Sequence, residues 1–132
     1  MQVKIDTKEK FAVVTPIPPE LSANIAAEIR ETAMQQLQEA VKNIVLSLSA
    51  VRSITNDAIP IIVELQQSFY EQNASFVICC IQPSVEEAFA NAGQLEMLNC
   101  TPTESEAWDI VQMEEIEREL LDGDDVEFGT NS

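Results

Sequence analysis

The segment Arg52-Ser53-Ile54-Thr55-Asn56-Asp57-Ala58 places a guanidinium, two hydroxyls, an amide and a carboxylate between two apolar runs. Ile44 to Leu48 before it reads as a buried strand. Ile61, Ile62, Leu65 and Phe69 after it share one face of a helix. Polar side chains at such a junction meet the helix's unpaired N–H groups and its partial positive charge, which favour an anion. Asp57 falls at that spot. It is expected to cap the helix, a contribution of about 0.5–2 kcal/mol, or to carry a charge that a partner reads; the two roles are compatible. Thr55 and Asn56 are good loop formers. Arg52, the only basic residue between Lys42 and Arg118, is placed to pair with nearby acid or to reach a partner.

Other chemistry is largely absent. The 132 residues include no histidine, three glycines and three cysteines, of which Cys79 and Cys80 are neighbours and Cys100 stands alone. No CxxC pair occurs, so a Cys/His zinc site is excluded. No glycine-rich phosphate loop occurs either. A response-regulator receiver, a domain of similar size, needs a late lysine, and the last lysine here is Lys42. A non-enzymatic protein without metal or cofactor is expected. The thiols read as small core residues of a reduced protein, with Cys79 and Cys80 pointing to opposite sides of a strand.

Charge narrows the partners. Residues 1–52 carry six acidic and six basic side chains, whereas residues 53–132 carry seventeen acidic ones and a single cation, Arg118, giving the net −16. This surface repels phosphate backbones and anionic lipid, so neither nucleic acid nor direct membrane binding is expected; a basic protein surface would be attracted. No apolar run approaches the roughly 20 residues that cross a bilayer, and the N-terminus lacks a signal-peptide profile, so a cytoplasmic location is expected.

The chain has the length of one domain. Two short strands open it, with Val3 and Ile5 in the first and Phe11 to Val14 in the second, stopped by Pro16, Pro18 and Pro19. Leu21, Ile25, Ile29, Ala33 and Leu37 predict a helix. Ser75 to Ile81 is apolar almost without alternation, as in a parallel strand covered on both faces. Pro83, Ser84 and Glu87 start a third helix with capping-box spacing, and Gly93 ends it. Leu95 to Leu98 reads as a short last strand. Thr103 and Glu106 form another capping box, for a final helix with Ala107, Ile110, Met113, Ile116 and Leu120 inward. Asp122-Gly123-Asp124-Asp125 is expected to break that helix, leaving residues 122–132 as an acidic, disordered tail beyond a domain of residues 1–121. The fold class is α/β: a mixed sheet of about five strands, with about four helices packed mainly on one side.

This order, with a polar loop entering the second helix, resembles the STAS domain family and, within it, the bacterial anti-sigma factor antagonists. The likeness covers about residues 1–115. Ile44 to Ile62 is similar to the family's apolar strand, "DLS-V" segment, "IDSSGLG" loop and apolar helix. Val85 to Leu98 looks like "V-x-x-x-L-x-x-x-G-L", with Phe89 and Gly93 in place and Gln94 where a leucine is usual.

Such antagonists bind an anti-sigma factor, often a GHKL-type serine kinase, and phosphorylation of the second serine of "DSSG" ejects them. By this resemblance Thr55 stands for the aspartate, Asn56 for the first serine and Asp57 for the phosphorylated serine; Ala58 and Pro60 replace the glycines. Asp57 accepts no phosphate from a serine kinase and carries one charge where phosphoserine carries about −1.5 to −2. The resemblance implies a binding module whose switch is fixed at Asp57 or moved to Thr55 or Ser53. The implied contact surface is the 52–60 loop, with Arg52, Ser53, Thr55, Asn56, Asp57 and Ala58, together with the second helix. A homodimer is one assembly open to it. The alternative is a structural STAS subunit of a larger assembly, such as a signalling scaffold or a lipid-transport ABC complex, without phospho-switching.

Overall fold

A computed structural model of the chain describes the backbone of residues 3–127 and the side chains of residues 3–121. The strands are β1 (Val3–Thr7), β2 (Ala12–Pro16), β3 (Glu20–Leu21), β4 (Ile44–Ser47), β5 (Ser53–Ile54), β6 (Phe76–Cys79) and β7 (Cys100–Thr101). The helices are α1 (Ala23–Gln36), α2 (Ile59–Glu71), α3 (Pro83–Asn91) and α4 (Glu104–Glu127). Five strands form one mixed sheet in the order β1-β2-β4-β6-β7. β1 is antiparallel to β2, and the remaining pairs are parallel, with Val14 opposite Leu46 and Leu46 opposite Ile78. All residues of β4 and β6 are buried, as apolar runs without alternation require.

Helices α1, α2 and α3 cover one face. Ile29, Ile62, Leu65, Phe69, Val85 and Phe89 meet Val14, Ile44, Leu46, Phe76 and Ile78 in the main core. Phe69 and Phe76 pack edge to face at 5.3 Å. α4 covers the other face with Ala107 and Val111 against Val13, Val45, Val77 and Cys79, and Trp108 stacks on Phe11 at 5.1 Å. The expectation of five strands and four helices mainly on one side is met.

The C-terminal ends of α2 and α3 are closed by the same device. Asn73 (φ 61°) and Gly93 (φ 74°) are left-handed, and the next residue's N–H bonds back to Phe69 and Phe89 respectively, both at 2.9 Å. The Thr103–Glu106 capping box also forms, with the Glu106 N–H on Thr103 Oγ1 at 3.2 Å and the Thr103 hydroxyl donating to Glu106 Oε1 at 3.1 Å.

Several local expectations are corrected. Leu21 belongs to β3 rather than to α1, which begins after Ser22 accepts the Ile25 N–H. Leu95–Met97 is a 3-10 turn, and strand pairing starts only at Cys100. Gln66 holds that turn from α2, donating to the Met97 carbonyl at 2.7 Å and accepting the Asn99 N–H at 2.9 Å. Cys80 does not continue the strand. It adopts φ 61° and turns its thiol back to within 3.4 Å of Cys79 Sγ, so the two sulfurs meet instead of pointing apart.

The last helix departs most. It runs through Asp122–Asp125 to Glu127, so the expected break is not seen; the remainder of the predicted tail, residues 128–132, lies outside the described residues. Its inner side is Ala107, Val111, Glu114, Glu115 and Arg118, while Met113, Ile116 and Leu120 are exposed and Ile110 is half-buried. The reason lies at the sheet end beneath it, which is polar. Glu114 accepts hydrogen bonds from the Tyr70 hydroxyl at 2.9 Å and from Ser75 Oγ at 2.5 Å. Buried Asn43 donates to the Lys10 carbonyl and to Glu115, and accepts from the Ser75 N–H and from Arg118. Carboxylates and a guanidinium satisfy those groups; methionine and isoleucine would not.

Candidate functional site

The polar segment sits beyond the carboxyl end of β4, where a parallel sheet leaves a crevice between successive loops. It is held rather than loose. The N–H groups of Arg52 and Ser53 both donate to the Pro19 carbonyl, at 2.6 and 3.1 Å, and the Thr55 N–H donates to the Leu21 carbonyl at 3.0 Å. These bonds accompany a two-residue parallel ladder, Glu20 with Ser53 and Leu21 with Ile54. From the other side Ser84 Oγ donates to the Arg52 carbonyl at 2.6 Å and Gln82 Nε2 to the Ser49 carbonyl at 3.0 Å. The loop is thus tied to the strap before α1 and to the start of α3.

Within that frame Arg52, Ser53, Asn56 and Asp57 are exposed, and Thr55 is half-buried. The Thr55 hydroxyl donates to Asp57 Oδ1 at 2.6 Å. Asp57 is not the helix cap. The chain turns through an Ala58 N–H to Thr55 carbonyl bond, Ala58 takes the cap position without a side-chain bond, and Pro60 lies in the first turn, where no N–H is missed. Ala58, expected among the contact residues, is fully buried. Asp57 therefore presents its charge to solvent one residue before the cap, still near the helix's positive end.

The exposed side of α2 continues from Pro60 to Glu64 and Gln67. Beside it, α1 and α2 enclose an open groove of about 700 Å³ with Arg30, Glu31, Met34, Glu64 and Ser68 among its walls. The groove and the exposed side of α2 carry Glu28, Glu31 and Glu64 with Arg30 among neutral polar side chains.

Burial holds two of the three thiols in their protonated form. Burial, with the Cys80 thiol beside it, pushes the Cys79 thiol up to about 12. Burial, with Glu86 nearby, pushes Cys100 up to about 11. Among the described residues, no cluster of three or more cysteine and carboxylate side chains is arranged to hold a metal, and no helix is long and apolar enough to cross a membrane.

Sequence reasoning located the loop but missed the residues that hold it. The spacing of Ser84 to Glu87 predicts a capping box; instead Gln82 takes the cap position and Ser84 reaches the loop backbone. The strap of Pro18, Pro19 and Glu20 carried only a strand-stopping signal. Its carbonyl at Pro19 becomes the acceptor that shapes residues 52 and 53, and no local pattern announces such a pairing.

The STAS domain model matches residues 2–107 of the chain. No curated protein sequence matches it. Among solved structures, a candidate anti-sigma factor antagonist of Thermotoga maritima is similar over 83% of this chain and 94% of its own, with 21% identity and a TM-score of 0.69. The anti-sigma factor antagonist SpoIIAA in its unphosphorylated form is similar over 83% and 96%, with 17% identity and a TM-score of 0.67. The murine anion transporter Slc26a9 is similar over 82% of this chain and 18% of its own, with 14% identity and a TM-score of 0.67. At these identities the likeness is one of fold.

Proposed function

The chain belongs to the STAS domain family, and from that premise we propose that it is a non-enzymatic regulatory protein of the anti-sigma factor antagonist kind. It binds an anti-sigma factor or a GHKL-type serine kinase through the 52–60 loop and the exposed side of α2. The observation that supports this most is the loop itself. Asp57 is exposed at the start of α2, in the position the resemblance gives to the phosphorylated serine, on a backbone tied down from two sides. A pre-set loop binds without an ordering cost.

In this reading Asp57 supplies a fixed negative charge in place of a reversible one. Two hydroxyls remain for regulation. Thr55 is half-buried and committed to Asp57, so a phosphate there would be set against a carboxylate. Ser53 is exposed and is the better acceptor.

The test is binding of the wild type, Asp57→Asn and Asp57→Ser to anti-sigma proteins encoded by the same genome, measured by titration calorimetry. Loss of the charge is expected to tighten binding several-fold. Equal affinity across the three proteins would remove Asp57 from the interface.

A second reading is a structural STAS subunit that packs into a larger assembly without switching. The fixed charge at Asp57 and the same fold inside an anion transporter favour it. Affinity purification from the native cell separates the two, through an ATP-binding anti-sigma protein or transporter subunits as the bound partner.

A further inference from the structure

The middle of α4, from Asp109 to Leu120, is amphipathic in the inverted sense. Asp109, Met113, Ile116 and Leu120 follow each other at steps of four, three and four, which places them in one line along the helix, with Glu117 beside them. All five are exposed, and the apolar three are 55%, 51% and 59% accessible. On the opposite side Glu114, Glu115 and Arg118 bond to Tyr70, Ser75 and Asn43. Those bonds fix the rotation of the helix. Turning the apolar line inward would strip Asn43 and Ser75, both buried, of the partners that α4 supplies. The exposure is therefore built in, and a contiguous apolar stripe of this kind marks an interaction surface.

The geometry points to a second docking surface here, the outer face of α4, whose occupant is a basic amphipathic helix from another protein. Alternating steps of three and four are the seam by which one helix packs along another. The sign of the occupant follows from the flanks. Asp109 lies in the stripe and Glu117 at its border, and the only cation after Arg52, Arg118, is turned to the opposite side, toward Asn43 and Ser75. Among the described residues, no cation on this face neutralises the two carboxylates. A second copy would bring the same acids with no cation to meet them, and anionic lipid would be repelled. Lysines or arginines bordering an apolar stripe satisfy both parts of the surface. Because α4 lies on the opposite face of the sheet from α2, this surface can be filled while the 52–60 loop is occupied.

The probe is a synthetic helical peptide of about 18 residues, five turns, with leucines at the same spacing flanked by lysines. Its control is a peptide of identical composition scrambled to remove the stripe. Both are titrated against the full chain by fluorescence anisotropy at ~150 mM salt. The patterned peptide is expected to bind at least about tenfold more tightly than the scrambled one. Ile116→Ser with Leu120→Ser, both exposed positions, should lose that margin while circular dichroism stays unchanged. Asp109→Asn with Glu117→Gln should weaken binding several-fold and flatten its salt dependence. Asp57→Asn should leave it untouched, which separates this surface from the loop. Absence of binding, equal binding of the two peptides, or no loss in the Ile116/Leu120 variant would overturn the proposal. So would a dimer of the protein alone, seen by sedimentation equilibrium and abolished by that variant, since the occupant would then be a second copy.

Discussion

Thr55 donates its hydroxyl proton to Asp57 across 2.6 Å, two residues apart on an exposed loop. The bond orients the carboxylate without burying it, and it occupies one of the two hydroxyls a kinase could use. Protein isolated from its native cell is expected to carry phosphate on Ser53 and none on Thr55 when its peptides are mapped by mass spectrometry. A Thr55 phosphopeptide, or no phosphate on either residue under any growth condition, would contradict that assignment.

Since Ala58 rather than Asp57 takes the cap position of α2, Asp57→Ala should cost no more than about 1 kcal/mol, the charge–dipole contribution. Ser22, which does accept the Ile25 N–H, should cost about 1 kcal/mol when changed to alanine. Urea denaturation of both variants checks the contrast. A loss near ~2 kcal/mol for Asp57→Ala would restore it as a cap.

Gly93 holds φ 74° with nothing near the position a Cβ would take. Gly93→Ala should therefore meet no clash yet lose about 1–2 kcal/mol from left-handed backbone strain alone. A stabilising result would show that the turn after α3 relaxes to another conformation.

Glu114→Ala should be more damaging than its position on the last helix suggests. It leaves the Tyr70 hydroxyl and Ser75 Oγ without their acceptor, a cost of roughly 1–3 kcal/mol. Met113→Ala, on the exposed side, should stay within about 0.5 kcal/mol. Equal losses from the two would mean that α4 is rotated relative to this structure.

Stability should fall in alkali. Burial first, then the Glu114 charge, holds the Tyr70 phenol well above its usual value near 10. Burial likewise raises Cys79 to about 12 and Cys100 to about 11. Groups whose folded pKa is raised contribute stability that is complete below their unfolded value and is lost above it, because there the unfolded chain gives up protons that the folded one keeps. Stability is thus expected to be flat up to about pH 9 and to decline above it, more gently in Tyr70→Phe. At pH 8 Cys79 should react with a thiol reagent far more slowly than a free cysteine, because burial holds it protonated. Rapid modification of Cys79 in the native protein would mean that β6 opens locally.

Much of this protein was determined by sequence alone, because the signals involved are local. The unalternating runs 44–47 and 76–79 demand burial on both faces, so parallel central strands follow. Pro60, Asn73 and Gly93 mark helix ends through their own backbone limits. The polar loop with Asp57 stands out because the segments around it are apolar. What the tertiary structure decided depends on groups far apart in the chain. The Pro19 carbonyl shapes residues 52 and 53, and Ser84 reaches back to Arg52, so the loop's rigidity is written in three separate segments. The orientation of α4 is the clearest case. Its own residues favour Met113, Ile116 and Leu120 inward by hydrophobicity, yet Asn43, Ser75 and Tyr70 need polar partners. The penalty for leaving those groups unpaired turns the helix, and its apolar side faces out.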